Sequence, residues 1–257
     1  MENKHFKLRK DLSIEWACRP IYRIEATEEI PVQGVHKGDI GGFVESEDNL
    51  SGDAWVFGDA KVYGNSVVYG SAEVCDEAEV YGDAKVYGEA KVFDAADVFG
   101  HAHVFGKAEV YGNAEIQGEA CVYLNAKVFG TARVFSYASV LEYAEVFGDA
   151  EIYGDALVLG KAKVYGDARV FGSASVTGDA EISSDKDYIV FKNFWSSGRY
   201  FTWTRSNNMW SAGCFRGTGK ELVKKAYRDS EESGDHYKMF VDFVNNVVLK
   251  QGGETTK

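Results

Sequence analysis

Three side chains near the middle of the sequence could take part in catalysis: His101, His103 and Cys121. An imidazole beside a carboxylate can act as a general base, and a cysteine beside a histidine can act as a nucleophile. His103 lies eighteen residues before Cys121, and His101 lies eighteen residues from both Asp83 and Glu119. These pairs therefore meet only if the chain completes one turn in eighteen residues.

The repeat around these residues predicts such a turn. At every sixth position of residues 56–182 the sequence has Val or Ile, twenty-two times without exception, and two residues earlier it has Ala, except at Ser66. A fixed short period is typical of a solenoid. Successive side chains of a strand face opposite ways, so Ala and Val, which are two residues apart, face the same way. We expect both to point inwards. The Gly-Asp, Gly-Asn or Gly-Ser pair between hexads suits a corner, so three strands and three corners make one coil.

Residues eighteen apart should then stack, about 4.8 Å from coil to coil. On the first side of the coil, the position before Val alternates in charge, which favours this register. Its members are Glu73, Lys91, Glu109, Lys127, Glu145, Lys163 and Glu181. The position after Val is mostly aromatic on every side. We interpret these ring columns as cross-strand stabilisation, because a binding site would be local.

The third side of the predicted coil is the least charged, and several of its corners lack glycine. A contiguous apolar area on one side indicates a contact, either with another chain or with the protein's own C-terminal segment. Both alternatives stay open. The binding candidates on and beside this side are Tyr123, Leu124, Tyr137, Leu141, Tyr143, Leu157 and Leu159.

The hexads resemble the left-handed parallel β-helix of hexapeptide-repeat proteins such as bacterial acyltransferases. Before them, residues 38–51 read G-D-I-G-G-F-V-E-S-E-D-N-L-S. This run resembles the motif that leads into the repeats of the YdcK-like β-solenoid family, and the resemblance extends over roughly residues 20–184. It implies an all-β solenoid, a left-handed parallel β-helix of about 7–8 triangular coils. It also implies a phage or prophage origin, since such genomes often encode members of this family.

Family members are commonly labelled acyltransferases by analogy of fold, which is weak support for an activity. The hexapeptide acyltransferases usually place a catalytic His on or beside a loop inserted between coils, and this sequence has no such insertion. We therefore predict no catalytic residue, no metal site and no cofactor. The alternative is an acyltransferase-like enzyme that uses acyl-coenzyme A, with His101, His103 and Cys121 as its candidates.

The domain prediction is an N-terminal β cap at 1–43, the β-helix at 44–184 and a small α+β domain at 185–257. Covers are needed because the ends of a solenoid are open sheet edges. The predicted cap strands lie in residues 20–24, 30–35 and 40–44. The C-terminal domain is predicted to have three strands, at 188–194, 200–205 and 209–215, and helices at 219–228 and 236–248, with Asp235 as a possible cap of the second helix.

The C-terminal strands carry a second group of candidates: Arg199, Trp203, Arg205, Trp210 and Arg216. Arginines beside indole rings could recognise an anionic or aromatic ligand. The alternative interpretation is a small aromatic core with solvated arginines.

Charge and composition limit the partners. Residues 51–184 contain 21 acidic and 9 basic side chains, whereas residues 185–257 have a net charge of +3. Neither a basic stripe nor a motif indicates nucleic-acid binding, although an acidic rod could imitate DNA and sequester a host factor.

The first twenty residues lack a signal sequence, no window suits a membrane span, and four scattered cysteines favour the cytoplasm.

Together these features predict a non-catalytic structural or binding scaffold. We expect a homo-oligomer, either a trimer, as is usual for the hexapeptide fold, or a dimer formed through the C-terminal domain. If the protein acts during phage infection, the expected ligand is a host protein or a small molecule.

Overall fold

The computed structural model describes residues 5–249. The first four residues of the predicted cap and residues 250–257 of the predicted C-terminal domain lie outside the described residues.

The N-terminal segment adds antiparallel strands to one sheet of the solenoid. Strands β1 (Phe6–Trp16) and β2 (Arg19–Ala26) form a hairpin, and β2 also pairs with β3 (Ile40–Val44). Residues 30–35, which the sequence predicted as a strand, instead form a 3₁₀ turn at Pro31–Gln33, closed by a bridge from Ile30 to Val35. The proline explains this difference, since it has no backbone N–H for a strand ladder.

Twenty-two short strands follow. In chain order they are β4 (Trp55–Val56), β5 (Lys61–Val62), β6 (Val67–Gly70), β7 (Glu73–Val74), β8 (Glu79–Val80), β9 (Lys85–Gly88), β10 (Lys91–Val92), β11 (Asp97–Val98), β12 (His103–Gly106), β13 (Glu109–Val110), β14 (Glu115–Ile116), β15 (Cys121–Val122), β16 (Lys127–Val128), β17 (Arg133–Val134), β18 (Ser139–Val140), β19 (Glu145–Val146), β20 (Glu151–Ile152), β21 (Leu157–Val158), β22 (Lys163–Val164), β23 (Arg169–Val170), β24 (Ser175–Val176) and β25 (Glu181–Ile182).

Every third strand belongs to the same parallel sheet, so the chain winds as a solenoid of about 8 coils with three sides. The first side runs from β4 to β25, the second from β3 and β5 to β23, and the third from β6 to β24. Partners are eighteen residues apart, as in the pair Val92 and Val110. The predicted solenoid and its register are thereby confirmed, while its left hand stays a prediction from the family resemblance.

The interior of the solenoid is the predicted Ala and Val column. All twenty-two Val or Ile side chains are fully buried, and burying each stabilises the fold by about 1.5–3 kcal/mol. Ser66, the exception among the alanines, is buried too, and its hydroxyl donates to the carbonyl of Tyr63 at 2.8 Å. Outside, the first-side charges pair as predicted, for example Lys127 with Glu109 at 2.7 Å, but exposed pairs contribute only about 0–1 kcal/mol each.

The C-terminal segment forms an antiparallel sheet of four strands rather than the three predicted. These are β26 (Tyr188–Lys192), β27 (Tyr200–Thr204), β28 (Met209–Ala212) and β29 (Phe215–Thr218), hydrogen-bonded in that order. The third predicted strand, residues 209–215, is wrong at its end because the chain turns at Gly213, which has a φ of 58°. This turn starts the additional strand β29.

Two helices pack on this sheet. Helix α1 (Gly219–Asp229) starts with a capping box between Thr218 and Glu221, and α2 (Glu231–Phe243) continues into a π-helical turn at Val244–Val248. The predicted start of the second helix is wrong by five residues. Ser230 caps it by accepting from the N–H of Ser233, whereas the carboxylate of Asp235 accepts from the hydroxyl of Tyr227 at 2.7 Å.

The C-terminal segment also caps the open edge of the last coil. Backbone N–H groups on this edge have no further coil to bond, and a buried unpaired N–H is costly. One such N–H on each side of the solenoid donates to a side-chain oxygen instead. The three bonds are Arg169 N to Asp185 Oδ1 (3.0 Å), Ser175 N to Thr202 Oγ1 (2.9 Å) and Glu181 N to Ser206 Oγ (2.7 Å).

No helix within residues 5–249 has the length and apolar character needed to cross a membrane.

Candidate functional site

The predicted third-side candidates lie together around the fourth to sixth strands of that side, and we call them the third-side patch: Tyr123, Leu124, Tyr137, Leu141, Tyr143, Leu157 and Leu159. The register places Cys121, Ser139 and Leu157 on successive strands. Tyr137 and Tyr143 are each 61% exposed and Leu124 is 45% exposed, while the other four are half-buried. The structure thus brings these side chains onto one side and its two corners.

Three corners at this patch have a residue other than glycine in left-handed backbone. Elsewhere in the rod only aspartate does so among the described corners, at Asp76 and Asp94 with φ values of 61° and 57°, and aspartate tolerates this conformation better than most residues. Leu124, Ser136 and Glu142 have φ values of 62°, 62° and 63°, whereas glycine takes the equivalent corner position in adjacent coils, as at Gly106 and Gly160. Left-handed backbone costs roughly 1–2 kcal/mol for a residue with a Cβ. Strain that persists near exposed apolar side chains is a reason to suspect a function.

The C-terminal segment approaches this side only from its end. The hydroxyl of Ser211 and the guanidinium of Arg216 donate to Ser175 Oγ at 3.1 and 3.5 Å. Burial lowers the pKa of Arg216, and the negative charge of Glu142 opposes this shift. The contact leaves Leu124, Tyr137 and Tyr143 exposed.

From Tyr123 in the patch, a column of stacked rings continues along the third side towards the N-terminal coils. Its four members are Tyr69, Tyr87, Phe105 and Tyr123. Their centroids are 4.7 to 4.8 Å apart and their planes are parallel within 7°. The spacing equals that of the strands, as cross-strand pairing requires. Leu141 and Leu159 extend this column with aliphatic side chains, so one apolar stripe runs along most of the third side.

His103 and Cys121 are neighbours on this side, as the spacing predicted, since β12 pairs with β15. Burial lowers the pKa of His103, assisted by the charges of Lys85 and His101. Burial also raises the pKa of the Cys121 thiol, assisted by Glu119. These shifts favour a neutral imidazole beside a neutral thiol, which is the opposite of the thiolate that nucleophilic catalysis needs.

His101 lies at a corner, as predicted, and its side chain is 67% exposed. Its Nδ1 is 3.9 Å from Asp83 Oδ2, too far for a hydrogen bond that would orient the ring. Within residues 5–249, no cluster of three or more His, Cys, Asp and Glu side chains could hold a metal ion.

The C-terminal candidates separate into core and surface. Trp203 and Trp210 are 0% and 2% exposed and belong to the core between the sheet and the helices, which agrees with the aromatic-core interpretation. Arg205 lies 5.5 Å from the Trp203 ring centroid, and its Nε donates to the carbonyl of Lys186. Arg216 donates to the carbonyls of Gly213 and Phe215, while Arg199 is exposed.

A second apolar surface escaped the sequence prediction. Phe194, Met239, Phe243 and Val247 are exposed by 66%, 52%, 44% and 40%, and we call them the C-terminal patch. The predicted second helix includes Met239, Phe243 and Val247, whose apolar spacing indicated a helix but not which side chains stay exposed. The number of apolar residues in this helix exceeds what one face accommodates, and that excess was the available signal.

The comparisons with known proteins agree with the coil geometry. A family model described as the YdcK β-solenoid repeat matches residues 162–178. No curated protein matches the sequence. The repeat match and the solenoid together confirm the predicted resemblance to the YdcK-like β-solenoid family.

Proposed function

Because the chain resembles the YdcK-like β-solenoid family in its repeat and its coils, we propose that it is a non-catalytic scaffold that binds another protein through the third-side patch. A scaffold-like role fits a solenoid repeat family. The phage or prophage context implied by the family resemblance makes a protein in the cytoplasm of a bacterial host the partner that we propose.

One observation carries this proposal: strained corners and exposed apolar side chains coincide. Leu124, Ser136 and Glu142 have positive φ although glycine would fit each corner without strain. In those same corners Leu124, Tyr137 and Tyr143 extend into solvent. Stability alone favours glycine and polar side chains there, so binding is the simplest reason for the residues present. Exposed aromatic side chains are also the usual anchors of protein interfaces.

The site chemistry supports a scaffold over the acyltransferase-like alternative. The repeat continues without an inserted loop from Val56 to Ile182. The pKa shifts of His103 and Cys121 disfavour an ion pair between them, and Asp83 does not orient His101. A lowered pKa makes the His103 imidazole a weaker general base.

The test is site-specific photocrosslinking in bacterial cells that express the full chain. A photoreactive amino acid replaces Ser139, at the centre of the third-side patch. The matched control position is Gln117, a neutral and equally half-buried outward residue on the second side. We expect a discrete protein adduct from position 139, none from position 117, and loss of the adduct when Tyr143→Glu is added.

The captured protein is then purified and its affinity for the full chain is measured by calorimetry. Tyr143→Glu should weaken binding at least tenfold, which corresponds to about 1.4 kcal/mol. Equal adducts from both positions, or an adduct with only a second copy of the chain, would refute the proposal. So would a rise in melting temperature with acyl-coenzyme A that His103→Ala or His101→Ala abolishes.

A further inference from the structure

Helix α2 and the turn after it are apolar on two faces. Val241 and Val244 point into the C-terminal core and are 8% and 0% exposed. On the outer face, Met239, Phe243 and Val247 repeat every four residues and are 52%, 44% and 40% exposed. An exposed apolar stripe beside a buried helix face commonly marks an interaction surface. The outer face therefore indicates a contact that the described chain does not supply.

The apolar area extends from the helix to the loop between β26 and β27. The ring of Phe194, 66% exposed, lies 5.3 Å from His236, and His236 stacks on Trp195 with a centroid distance of 4.6 Å. The rings of Phe243 and Phe191 also pack edge to face, with a centroid distance of 6.4 Å. The exposed side chains of the C-terminal patch are thus held against a packed aromatic layer, so the surface is preformed.

The residues that the structure describes leave this patch exposed. Residues 250–257 read K-Q-G-G-E-T-T-K and contain no apolar side chain. The described chain begins at the opposite end of the rod, where His5 Nε2 contacts the carbonyl of Ala54 in the first coil at 3.1 Å. Neither segment therefore supplies the contact, which points to a partner molecule.

We propose that this partner is a second copy of the chain, which packs its α2 against the first in an antiparallel dimer. Lys238 and Asp242 flank the apolar stripe and form an ion pair at 2.8 Å within one helix. Two-fold pairing lets Lys238 of each copy face Asp242 of the other, so the flanks are complementary to themselves, as an isologous interface requires. Antiparallel helices also oppose their dipoles favourably.

This dimer joins two rods at their C-terminal ends and leaves both third-side patches exposed. The assembly then presents two binding surfaces at a fixed separation. That consequence rests on the proposed function, but the dimer itself does not.

The test measures the mass of the full chain by sedimentation, from micromolar to hundreds of micromolar protein. We expect twice the mass of the 28.4 kDa chain. Phe243→Glu should give a monomer, or raise the dissociation constant at least tenfold. The matched control is Phe171→Glu, because Phe171 is also an exposed ring, at 45% against 44%, but lies on the second side of the rod. It should leave the mass unchanged.

Met239→Lys repeats the test at a more exposed position, in case Phe243→Glu disturbs folding. A charge exchange then tests the register. Lys238→Glu or Asp242→Lys alone places like charges across the axis and should weaken the dimer, whereas mixing the two variants should restore it as a heterodimer. A monomeric or trimeric wild-type chain, or an unchanged mass of both apolar variants, would overturn the proposal. Because mass requires no third-side partner, its result is independent of the crosslinking result.

Discussion

Asp97 is the position where the second side breaks the rule that opposite charges alternate, and replacing it should stabilise the protein. The register places Asp97 between Glu79 and Glu115. Those two glutamates have partners of their own, Lys61 at 3.5 Å and Arg133 at 3.2 Å. Burial, followed by the charges of Glu79 and Glu115, raises the pKa of Asp97 to about 6. Asp97→Asn removes the charge and keeps the shape.

The magnitude follows from the shift. Folding raises the pKa of Asp97 from 3.8 to about 6. At about 1.4 kcal/mol per pKa unit, the ionised carboxylate destabilises the folded state by at most roughly 3 kcal/mol. Asp97 is half-buried, so solvent screens much of this cost, and we expect about 1 kcal/mol. A carboxyl whose pKa is raised by folding opposes folding only when ionised. Its cost is therefore absent below pH 3.8, develops between pH 3.8 and about 6, and is complete above about pH 6.

The assay is urea unfolding of Asp97→Asn and the wild type at pH 7.5 and pH 4. We expect the variant to be more stable at pH 7.5 and close to the wild type at pH 4. The matched control is Glu145→Gln, because Glu145 lies between Lys127 and Lys163 in the alternating first side, so the same loss of charge should be neutral or destabilising. No gain at pH 7.5, or an equal gain at both pH values, would refute the reasoning.

Three further outcomes follow from the corners and the capped edge. Gly88→Ala should destabilise the rod by about 2 kcal/mol or more in urea unfolding. The added Cβ would lie 2.9 Å from the backbone of the next coil, and alanine would also be strained in left-handed backbone. In the control Gly172→Ala the added Cβ meets no neighbouring coil within 4 Å, so only the backbone strain should reduce stability. Leu124→Gly should raise the unfolding free energy by about 0.5–1 kcal/mol yet weaken partner binding in calorimetry, and a loss of stability would contradict the assigned strain. Thr202→Val, which removes the acceptor for the N–H of Ser175, should cost about 1–3 kcal/mol and speed hydrogen exchange at the last coil; unchanged exchange there would show that the bond does not protect this edge.

The solenoid could be predicted because its period determines both packing and pairing. Val and Ala at fixed positions establish which side chains enter the interior, and the eighteen-residue stacking then follows for every outward residue, including the pair of His103 and Cys121. Non-repeating segments offered no such constraint. Residues 30–35 are apolar enough for a strand, but Pro31 makes them a turn, and Ser230 rather than Asp235 caps α2 because the preceding helix ends there.

The candidate site was predictable only in part. The sequence located Leu124, Tyr137 and Tyr143 as departures from the repeat, and side-chain exposure was implied by their corner positions. It could not reveal the φ values of Leu124 and Glu142, since a corner without glycine can either strain or change shape. The burial of Trp203 and the exposure of Phe243 depend on how the sheet faces the helices, which no local pattern determines.

A regular solenoid can hold a binding surface in its corners because each coil contacts only its neighbours. The cost of left-handed backbone at Leu124, Ser136 and Glu142 is therefore local, and the fully buried Val column of the same coils stabilises far more than these corners cost. An inserted loop would interrupt that column, whereas a changed corner residue does not. Outward positions can thus acquire a binding role while the interior stays unchanged, and the same argument predicts that the corner variants alter partner binding more than they alter the fold.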